Sequence, residues 1–243
     1  MYLGCVSMKN INLILADTYR SKVYLQAISQ ITDIKVRVVH YIRNNLRPTD
    51  IKAKPATLSE TKLLKSLHPE LKNFLYFNMR SIEEISITNK FEYHKVSVSK
   101  GIHDIPKSYF SLGCNIFSGY PSEIVPKYLT DQYILLHAHG GILPTYKGST
   151  TNYYSKIEKN IIGASLIVLS DKLDAGKVLN VYFEKITKLI ELDFHLDNAL
   201  RAKVVFDYLS SSRSVKSTET LGGRMYYVAH PVIRKLALET NFK

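Results

Sequence analysis

Cysteine is scarce in this sequence of 243 residues, and tryptophan is absent. The two cysteines, Cys5 and Cys114, are too few for a disulfide framework or a cysteine-rich metal site. No apolar run approaches the ~18 residues of a membrane-spanning helix, and the N-terminal segment lacks the basic-then-apolar pattern of a signal peptide. We therefore expect a cytoplasmic protein that does not insert into a membrane.

Acidic residues are also few, since 21 Asp and Glu stand against 33 Lys and Arg, which gives a formal net charge of +12 at pH 7. This excess favours an anionic partner such as a nucleic acid, a phosphorylated small molecule or an acidic membrane surface. The basic residues are scattered singly, so a merely solvated surface is an equally good interpretation. Scattered lysines do not predict a face that follows a nucleic-acid backbone.

Strand and helix patterns alternate along the chain. Residues 10–16 and 34–41 predict strands, and residues 21–31 predict a helix between them that is capped by Asp17 and Thr18. This β-α-β order implies a parallel pair of strands. Further predicted strands are 94–98, 115–118, 133–139, 163–170, 177–183 and 221–228, and further predicted helices are 59–67, 71–77, 104–112, 122–129, 150–158, 194–210 and 231–238. The alternation predicts an α/β fold with a mostly parallel sheet.

The predicted domain organisation is a core over residues 8–205 followed by a short C-terminal extension over 206–243. Residues 45–90 are charged and less clearly patterned, so we predict that they form a lid or insertion on the core. The tail strand at 224–228 could pair across a homodimer or complete the sheet.

Two histidines mark the end of one predicted strand. His137 and His139 stand two positions apart, so their rings should point to the same face. Gly140 and Gly141 follow and should let a substrate approach the backbone closely, and Lys147 adds a cation. The imidazoles could be catalytic groups, or they could hold a metal ion as in hydrolytic metalloenzymes. A metal site needs further ligands, and no other histidine stands in a recognisable ligand pair, so we favour a site without metal.

Asp174 is the third candidate catalytic residue. It lies in the segment Leu173-Asp-Ala-Gly176 between two predicted strands, where an aspartate close to a glycine is ordinary turn chemistry. In this topology, however, the turn can meet the histidine loop at one edge of the sheet. A carboxylate beside an imidazole raises its basicity and fixes its tautomer.

Four segments together resemble the folate-dependent formyltransferases. The loop His139-Gly-Gly-Ile-Leu-Pro-Thr-Tyr-Lys-Gly148 is similar to that family's His-x-Ser-Leu-Leu-Pro-x-Tyr-Arg-Gly loop. Residues 163–176 are similar to its Gly-x-Thr…Leu-Asp-Thr-Gly segment. Residues 119–127 resemble the loop before its catalytic strand, and Asp197-Asn-Ala-Leu-Arg-Ala202 resembles its Asp-x-x-x-Arg-Ala helix motif. The resemblance covers roughly residues 94–202.

The resemblance implies a Rossmann-like core that transfers a formyl group from N10-formyltetrahydrofolate to an amine. The family's catalytic His and Asp correspond to His139 and Asp174. Its catalytic Asn corresponds to His137, where this sequence departs from the pattern. We expect His137 and His139 to donate hydrogen bonds to the tetrahedral oxyanion and Asp174 with His139 to relay the proton of the amine. Unlike an amide, the His137 ring should titrate near neutral pH.

The resemblance also implies which residues contact the ligands. The folate contacts are expected from Tyr120, Ile124, Val125, Pro126 and Leu136. The substrate contacts are expected from Gly140, Gly141 and Lys147.

Members of the family differ in the class of substrate that carries the accepting amine. Residues 16–21 contain no glycine, unlike the phosphate loop of glycinamide ribonucleotide enzymes, and too few residues follow Asp197 for the C-terminal barrel of initiator-tRNA formyltransferases. The short members of the family act on amino sugars attached to a nucleoside diphosphate, such as a dTDP-4-amino-4,6-dideoxyhexose, for O-antigen or surface polysaccharide synthesis. We expect that function. A methionyl-tRNA formyltransferase-like enzyme, a metal-dependent hydrolase and a non-catalytic nucleotide binder stay open as alternatives.

Overall fold

The computed structural model describes residues 10–45, 58–76, 80–186, 188–189, 192–211 and 222–239. Its strands are β1 (Asn10–Ala16), β2 (Lys35–Arg43), β3 (Glu92–Val98), β4 (Cys114–Ser118), β5 (Ile134–His139), β6 (Tyr146–Gly148), β7 (Ile161–Val168), β8 (Val178–Lys185) and β9 (Arg224–Tyr226). Its α-helices are α1 (Tyr19–Ile28), α2 (Leu58–Leu67), α3 (Ile82–Thr88), α4 (Lys127–Gln132), α5 (Thr151–Lys159), α6 (His195–Ser210) and α7 (Pro231–Glu239).

Seven of these strands form one sheet in the order β3-β2-β1-β4-β5-β7-β8. The first five strands in this order, β3-β2-β1-β4-β5, are parallel. The strand β7 runs antiparallel to β5, and β8 runs antiparallel to β7. The predicted α/β class with a mostly parallel sheet is therefore confirmed. The tail strand does not join this sheet, because β9 pairs in parallel with β6 in a separate two-stranded sheet.

The central strand β1 is buried on both faces of the sheet. Leu13 and Leu15 belong to the main core cluster, which also contains residues of α1 and α6. Ile14 and Ala16 belong to a second cluster on the opposite face. A continuous apolar strand is what a parallel sheet covered on both sides requires. Thr18 caps α1 as predicted, since its side chain accepts a hydrogen bond from the Ser21 N–H.

Three predicted helices are wrong, and prolines explain two of them. The segment 104–112 forms two short 3-10 turns, Ile102–Asp104 and Lys107–Tyr109. Pro106 separates these turns because a residue before proline is driven to extended backbone. The predicted helix 122–129 begins only at Lys127, with Pro126 as its N-cap, so the preceding residues form an open loop. Over 71–77, a single 3-10 turn at Pro69–Leu71 replaces the helix, and residue 77 lies outside the described residues.

The described part of the segment 45–90 contributes to the core. Leu64, Phe74, Ile82 and Ile85 are buried in the main core cluster, and α3 packs on α1 and β3. The helix α6 continues to Ser210, beyond the domain boundary predicted at 205. Within the described ranges, no helix combines the length and apolar character needed to cross a lipid bilayer.

Candidate active site

A histidine and an aspartate meet beyond the carboxyl end of β5. His139 is the last residue of β5, and Asp174 lies in the connection between β7 and β8. The His139 Nδ1 atom is 3.2 Å from the Asp174 Oδ1 atom, and the two side chains are only 7% and 10% exposed. The structure therefore brings together the two residues that the sequence pattern paired.

The other nitrogen of the His139 ring also faces an oxygen. Its Nε2–H donates a hydrogen bond to the backbone carbonyl of Tyr146 at 3.1 Å. Because a carbonyl and a carboxylate only accept hydrogen bonds, the ring satisfies both partners when each nitrogen carries a proton. Both ring nitrogens of His139 are thus directed at oxygen acceptors of the protein itself.

Asp174 has a second partner in the loop that follows β5. Its Oδ2 atom accepts a hydrogen bond from the Gly148 N–H at 2.8 Å. Burial raises the pKa of Asp174, but the His139 ring and the Gly148 N–H outweigh burial and hold the pKa of this carboxyl below its usual range. Asp174 is consequently a buried carboxylate that stays ionised at neutral pH.

The structure contradicts two properties that were predicted for His137. Burial, with the nearby charges of Arg20 and Arg201, lowers the pKa of His137 to about 3, so the ring does not titrate near neutral pH. Its Nδ1–H donates to the backbone carbonyl of Phe117 at 3.2 Å. In the neutral ring the Nε2 atom then carries a lone pair, which makes it an acceptor and not the oxyanion donor that was expected.

Two arginines flank this histidine. The Arg201 Nη1 atom donates to the carbonyl of Ala138, between the two histidines, at 2.6 Å, and its Nε atom donates to Asp197 at 2.6 Å. Arg20, from α1, donates to the carbonyl of Gly119 at 2.6 Å. The Asp197–Arg201 spacing of four residues is the sequence signal for a helical ion pair, whereas Arg20 stands in no recognisable motif.

The predicted substrate contacts lie in the loop that follows β5. A Cβ atom on Gly140 would come within 2.3 Å of Asp197, and one on Gly141 within 2.1 Å of Thr151. Side chains of the protein itself fill that space, so a side chain at either position would have to displace them. Gly140 also lines a cavity of ≈ 180 Å³. Lys147 is half-buried on β6. The role of these three residues in substrate binding remains a prediction.

The residues predicted to contact folate differ in their exposure. Ile124 is 80% exposed, whereas Tyr120 and Leu136 are buried in the two core clusters. Val125 is half-buried against the second cluster, and Pro126 is the half-buried N-cap of α4. Ile124 is thus the residue of this set with a free surface, and the folate contacts of all five remain predictions.

A buried glutamate holds the loop that carries these residues. Glu123 accepts hydrogen bonds from the backbone N–H groups of Tyr120 and Ile102, each at 2.8 Å, and from the Tyr41 hydroxyl at 2.5 Å. Its carboxylate also pairs with Arg43 at 3.1 Å. Sequence reasoning missed Glu123, because a single acidic residue in a predicted helix resembles any solvent-exposed charge.

Neither of the two described cavities is lined by His137, His139 or Asp174. A cavity of ≈ 530 Å³ opens at the opposite edge of the sheet, near the amino ends of β1 and β2. In the described parts of the chain, no group of three or more His, Cys, Asp or Glu side chains could hold a metal ion. The metal-dependent hydrolase therefore has no ligand set in those parts.

Comparison with known proteins identifies the fold. No family model matches the sequence, and neither does any curated protein. Among solved structures, a 4-N formyltransferase from Francisella tularensis matches with a TM-score of 0.53 and 14% identity, over 95% of this chain and 86% of that one. An N-formyltransferase from Helicobacter canadensis matches with a TM-score of 0.52 and 11% identity, over 90% and 71% of the two chains.

A third match is the glycinamide ribonucleotide transformylase 1 of Symbiobacterium toebii, with a TM-score of 0.50 and 14% identity, over 85% of this chain and 87% of that one. This chain has the formyltransferase fold. At such low identities the likeness shows the fold alone, and the matched proteins differ in what their names say they formylate.

Proposed function

We propose that this chain transfers a formyl group from N10-formyltetrahydrofolate to the amino group of a nucleotide-linked amino sugar, such as a dTDP-4-amino-4,6-dideoxyhexose. The observation that carries this proposal is the contact between His139 and Asp174 at the end of β5 in a formyltransferase fold. Both residues stand where the family's catalytic His and Asp are expected from the loop motifs.

The reaction is acyl transfer to an amine. The amine nitrogen forms a bond to the formyl carbon, the bond from that carbon to N10 of the folate breaks, and the proton lost by the amine balances the proton gained at N10. Asp174 is ionised and can take up the proton, directly or through a water molecule. The His139 ring orients Asp174, and Arg20 and Arg201 nearby supply positive charge for the oxyanion. The Nε2 atom of His137 can accept a hydrogen bond from the amine.

The matched structures and the net charge support this choice of substrate class. The Helicobacter canadensis protein was solved with folinic acid and dTDP-3-aminofucose, and a net charge of +12 suits a ligand with a diphosphate. Thr18 caps α1 with its side chain where glycinamide ribonucleotide enzymes carry a glycine-rich loop. We place the formylated product in surface polysaccharide synthesis, as the family resemblance implies.

The test is a formylation assay on the purified full chain. The protein is incubated with N10-formyltetrahydrofolate and amino sugars linked to dTDP, UDP or GDP, and mass spectrometry detects the formylated sugar. Glycinamide ribonucleotide and initiator methionyl-tRNA serve as competing acceptors. We expect that a nucleotide-linked amino sugar is formylated and that the competing acceptors are not. Formylation of tRNA or of the ribonucleotide would correct the acceptor, and no formylation of any acceptor would refute formyl transfer.

A thermal-shift screen before the assay identifies which nucleotide sugar the protein binds. A nucleotide sugar present at a hundredfold its Kd should add about 2.7 kcal/mol to the free energy of unfolding. Each nucleotide is measured with and without a folate analogue. Binding without any formyl transfer would instead support the non-catalytic nucleotide binder.

A further inference from the structure

A short parallel pairing joins the C-terminal segment to the loop that follows β5. In it, Tyr146, Lys147 and Gly148 of β6 lie beside Arg224, Met225 and Tyr226 of β9. The Arg224 N–H donates to the carbonyl of Thr145 at 3.1 Å, and the Ser149 N–H donates to the carbonyl of Tyr226 at 3.0 Å. The two strands are thus connected by backbone hydrogen bonds at both ends of β6.

The strand β6 supplies backbone groups to both members of the acid–base pair. The carbonyl of Tyr146, at its start, accepts from His139, and the N–H of Gly148, at its end, donates to Asp174. A shift of β6 by one residue would take both groups away from their partners. The position of β6 therefore determines the orientation of the pair.

Side chains reinforce the pairing. The Tyr226 ring stacks on the Tyr146 ring with 5.5 Å between centroids, and it also contacts the Tyr154 ring at 4.6 Å. The Tyr146 and Tyr226 hydroxyls donate to the two carboxylate oxygens of Glu158, each at 3.0 Å. Glu158 lies on α5, so the two strands are anchored to the same helix.

Two glycines allow the C-terminal segment to lie this close. Gly148 has φ +100°, and a Cβ atom there would come within 2.0 Å of the Tyr226 carbonyl oxygen. Gly223 has φ +85°, and its Cβ atom would come within 1.7 Å of the Pro144 carbonyl oxygen. An L side chain at either position would push the segment away from the loop.

We propose that β9 is a positioning element of the active site, which holds β6 in the register that keeps Gly148 on Asp174 and Tyr146 on His139. The site is incomplete without the C-terminal segment, although that segment contributes no group to the acid–base pair itself. The catalytic consequence of this proposal rests on the proposed formyl transfer.

The effect of β6 on the pKa of Asp174 can be measured even in a protein without enzymatic activity. The groups that face Asp174 are His139 and His137 on β5, Arg201 on α6 and the Gly148 N–H on β6. Displacing β6 removes the Gly148 N–H from Asp174 and the Tyr146 carbonyl from His139. A hydrogen bond to the charged form is then lost, so the pKa of Asp174 should rise.

The test compares Gly223→Ala with Gly222→Ala. Gly222 has φ +80° and no atom within 4 Å of its Cβ position, so both substitutions impose the same backbone strain and only the first displaces the segment. The pKa of Asp174 is measured by carbon NMR titration of its carboxyl, and kcat and KM are measured over the same pH range. For Gly223→Ala we expect a higher Asp174 pKa, an acid limb of kcat at higher pH, and a loss of about 10²-fold in kcat with a smaller change in KM.

A second set of three variants covers the case in which Gly223→Ala does not fold. Tyr226→Ala removes the stacked ring, Tyr226→Phe keeps it, and Tyr227→Ala removes a neighbouring ring that is 81% exposed. We expect the pKa shift with Tyr226→Ala, its rescue with Tyr226→Phe, and wild-type behaviour with Tyr227→Ala.

Four outcomes separate the positioning role from formyl transfer. An unchanged Asp174 pKa in both Gly223→Ala and Tyr226→Ala would overturn the positioning role, as would a loss of rate that only follows the loss of folded protein. A shifted pKa in a chain whose wild type transfers no formyl group would support positioning and refute formyl transfer. Shifts in both pKa and rate would support both.

Discussion

At the end of β5, burial opposes the charge of His137 and of Asp174 alike, yet only the histidine loses its charge. His137 lies near Arg20 and Arg201, which add to the effect of burial and lower its pKa to about 3. Asp174 faces the His139 ring and the Gly148 N–H, which outweigh burial and lower its pKa. The neighbours of each residue therefore decide which of the two is charged at neutral pH.

Asp174→Asn tests the proton acceptor. The amide keeps the shape of the side chain but cannot take up a proton, so we expect kcat to fall about 10²–10⁴-fold. Asp171→Asn is the matched control, because Asp171 is an exposed residue of the same connection and should keep wild-type kcat. Circular dichroism checks that both variants fold, and a fully active Asp174→Asn enzyme would contradict the assignment.

His137→Asn tests the neutral state of the buried ring through stability. The folded pKa of about 3 lies below the ordinary value of 6.5, so the unfolded chain binds a proton first as the pH falls. The wild type should lose stability from pH 6.5 down to pH 3 through this group, about 2 kcal/mol of it between pH 7 and pH 5. Urea unfolding at both pH values measures how much of this loss the Asn variant escapes. An equal loss in both proteins would contradict the lowered pKa, because it would mean that His137 binds its proton at the same pH in the folded and unfolded chains.

At the scale of elements, α6 connects the core to the end of β5. Much of this helix is buried in the main core cluster. Its Arg201 reaches the Ala138 carbonyl between the two histidines, and its Asp197 holds the guanidinium in place. Gly140 packs directly against this ion pair. The helix therefore supports the end of β5 and the first turn of the loop together.

A comparison of two ion pairs on α6 tests this support. Arg201→Met leaves Asp197 as a partly buried charge without its partner, so we expect a loss of about 3 kcal/mol in the free energy of unfolding. Lys203→Met breaks an ion pair of the same spacing with Asp207, for which we expect about 1 kcal/mol. Denaturant unfolding of both variants measures the difference, and equal losses would mean that the Ala138 contact adds nothing.

At the scale of the whole molecule, the net charge of +12 acts on any ligand that carries a diphosphate. Scattered positive charges raise the local concentration of an anion over a distance of about 10 Å at moderate salt. Such attraction affects binding and does not depend on the individual geometry of any lysine.

The dependence of KM on salt measures that attraction. Raising the ionic strength from about 0.05 M to about 0.5 M should increase the KM for the nucleotide sugar several-fold, because screening weakens the field of the protein. The kcat at saturating substrate should change little. The same amino sugar without its nucleotide is the control, and a KM that is independent of salt would assign the positive charge to solubility instead.

Local pattern determined which elements form and in what order. The strands at 10–16 and 133–139, and the helix at 194–210, could be predicted because apolar spacing reports the periodicity of an element and its buried face. The pairing of His139 with Asp174 could also be predicted, since the topology brings loops together at one edge of the sheet. Prediction failed around Pro106 and Pro126, where the apolar pattern continues but the backbone cannot remain helical.

Only the tertiary structure decided the protonation states of the site and the pairing of the C-terminal strand. The neutral ring of His137 depends on Phe117, Arg20 and Arg201, which lie on other elements and far away in the chain. The pairing of β9 with β6 depends on the close approach of Gly148 and Tyr226, and a three-residue strand has too little periodicity to identify its partner. Spacing along the chain contains no information on such contacts, because burial and electric field arise from whatever the fold places nearby.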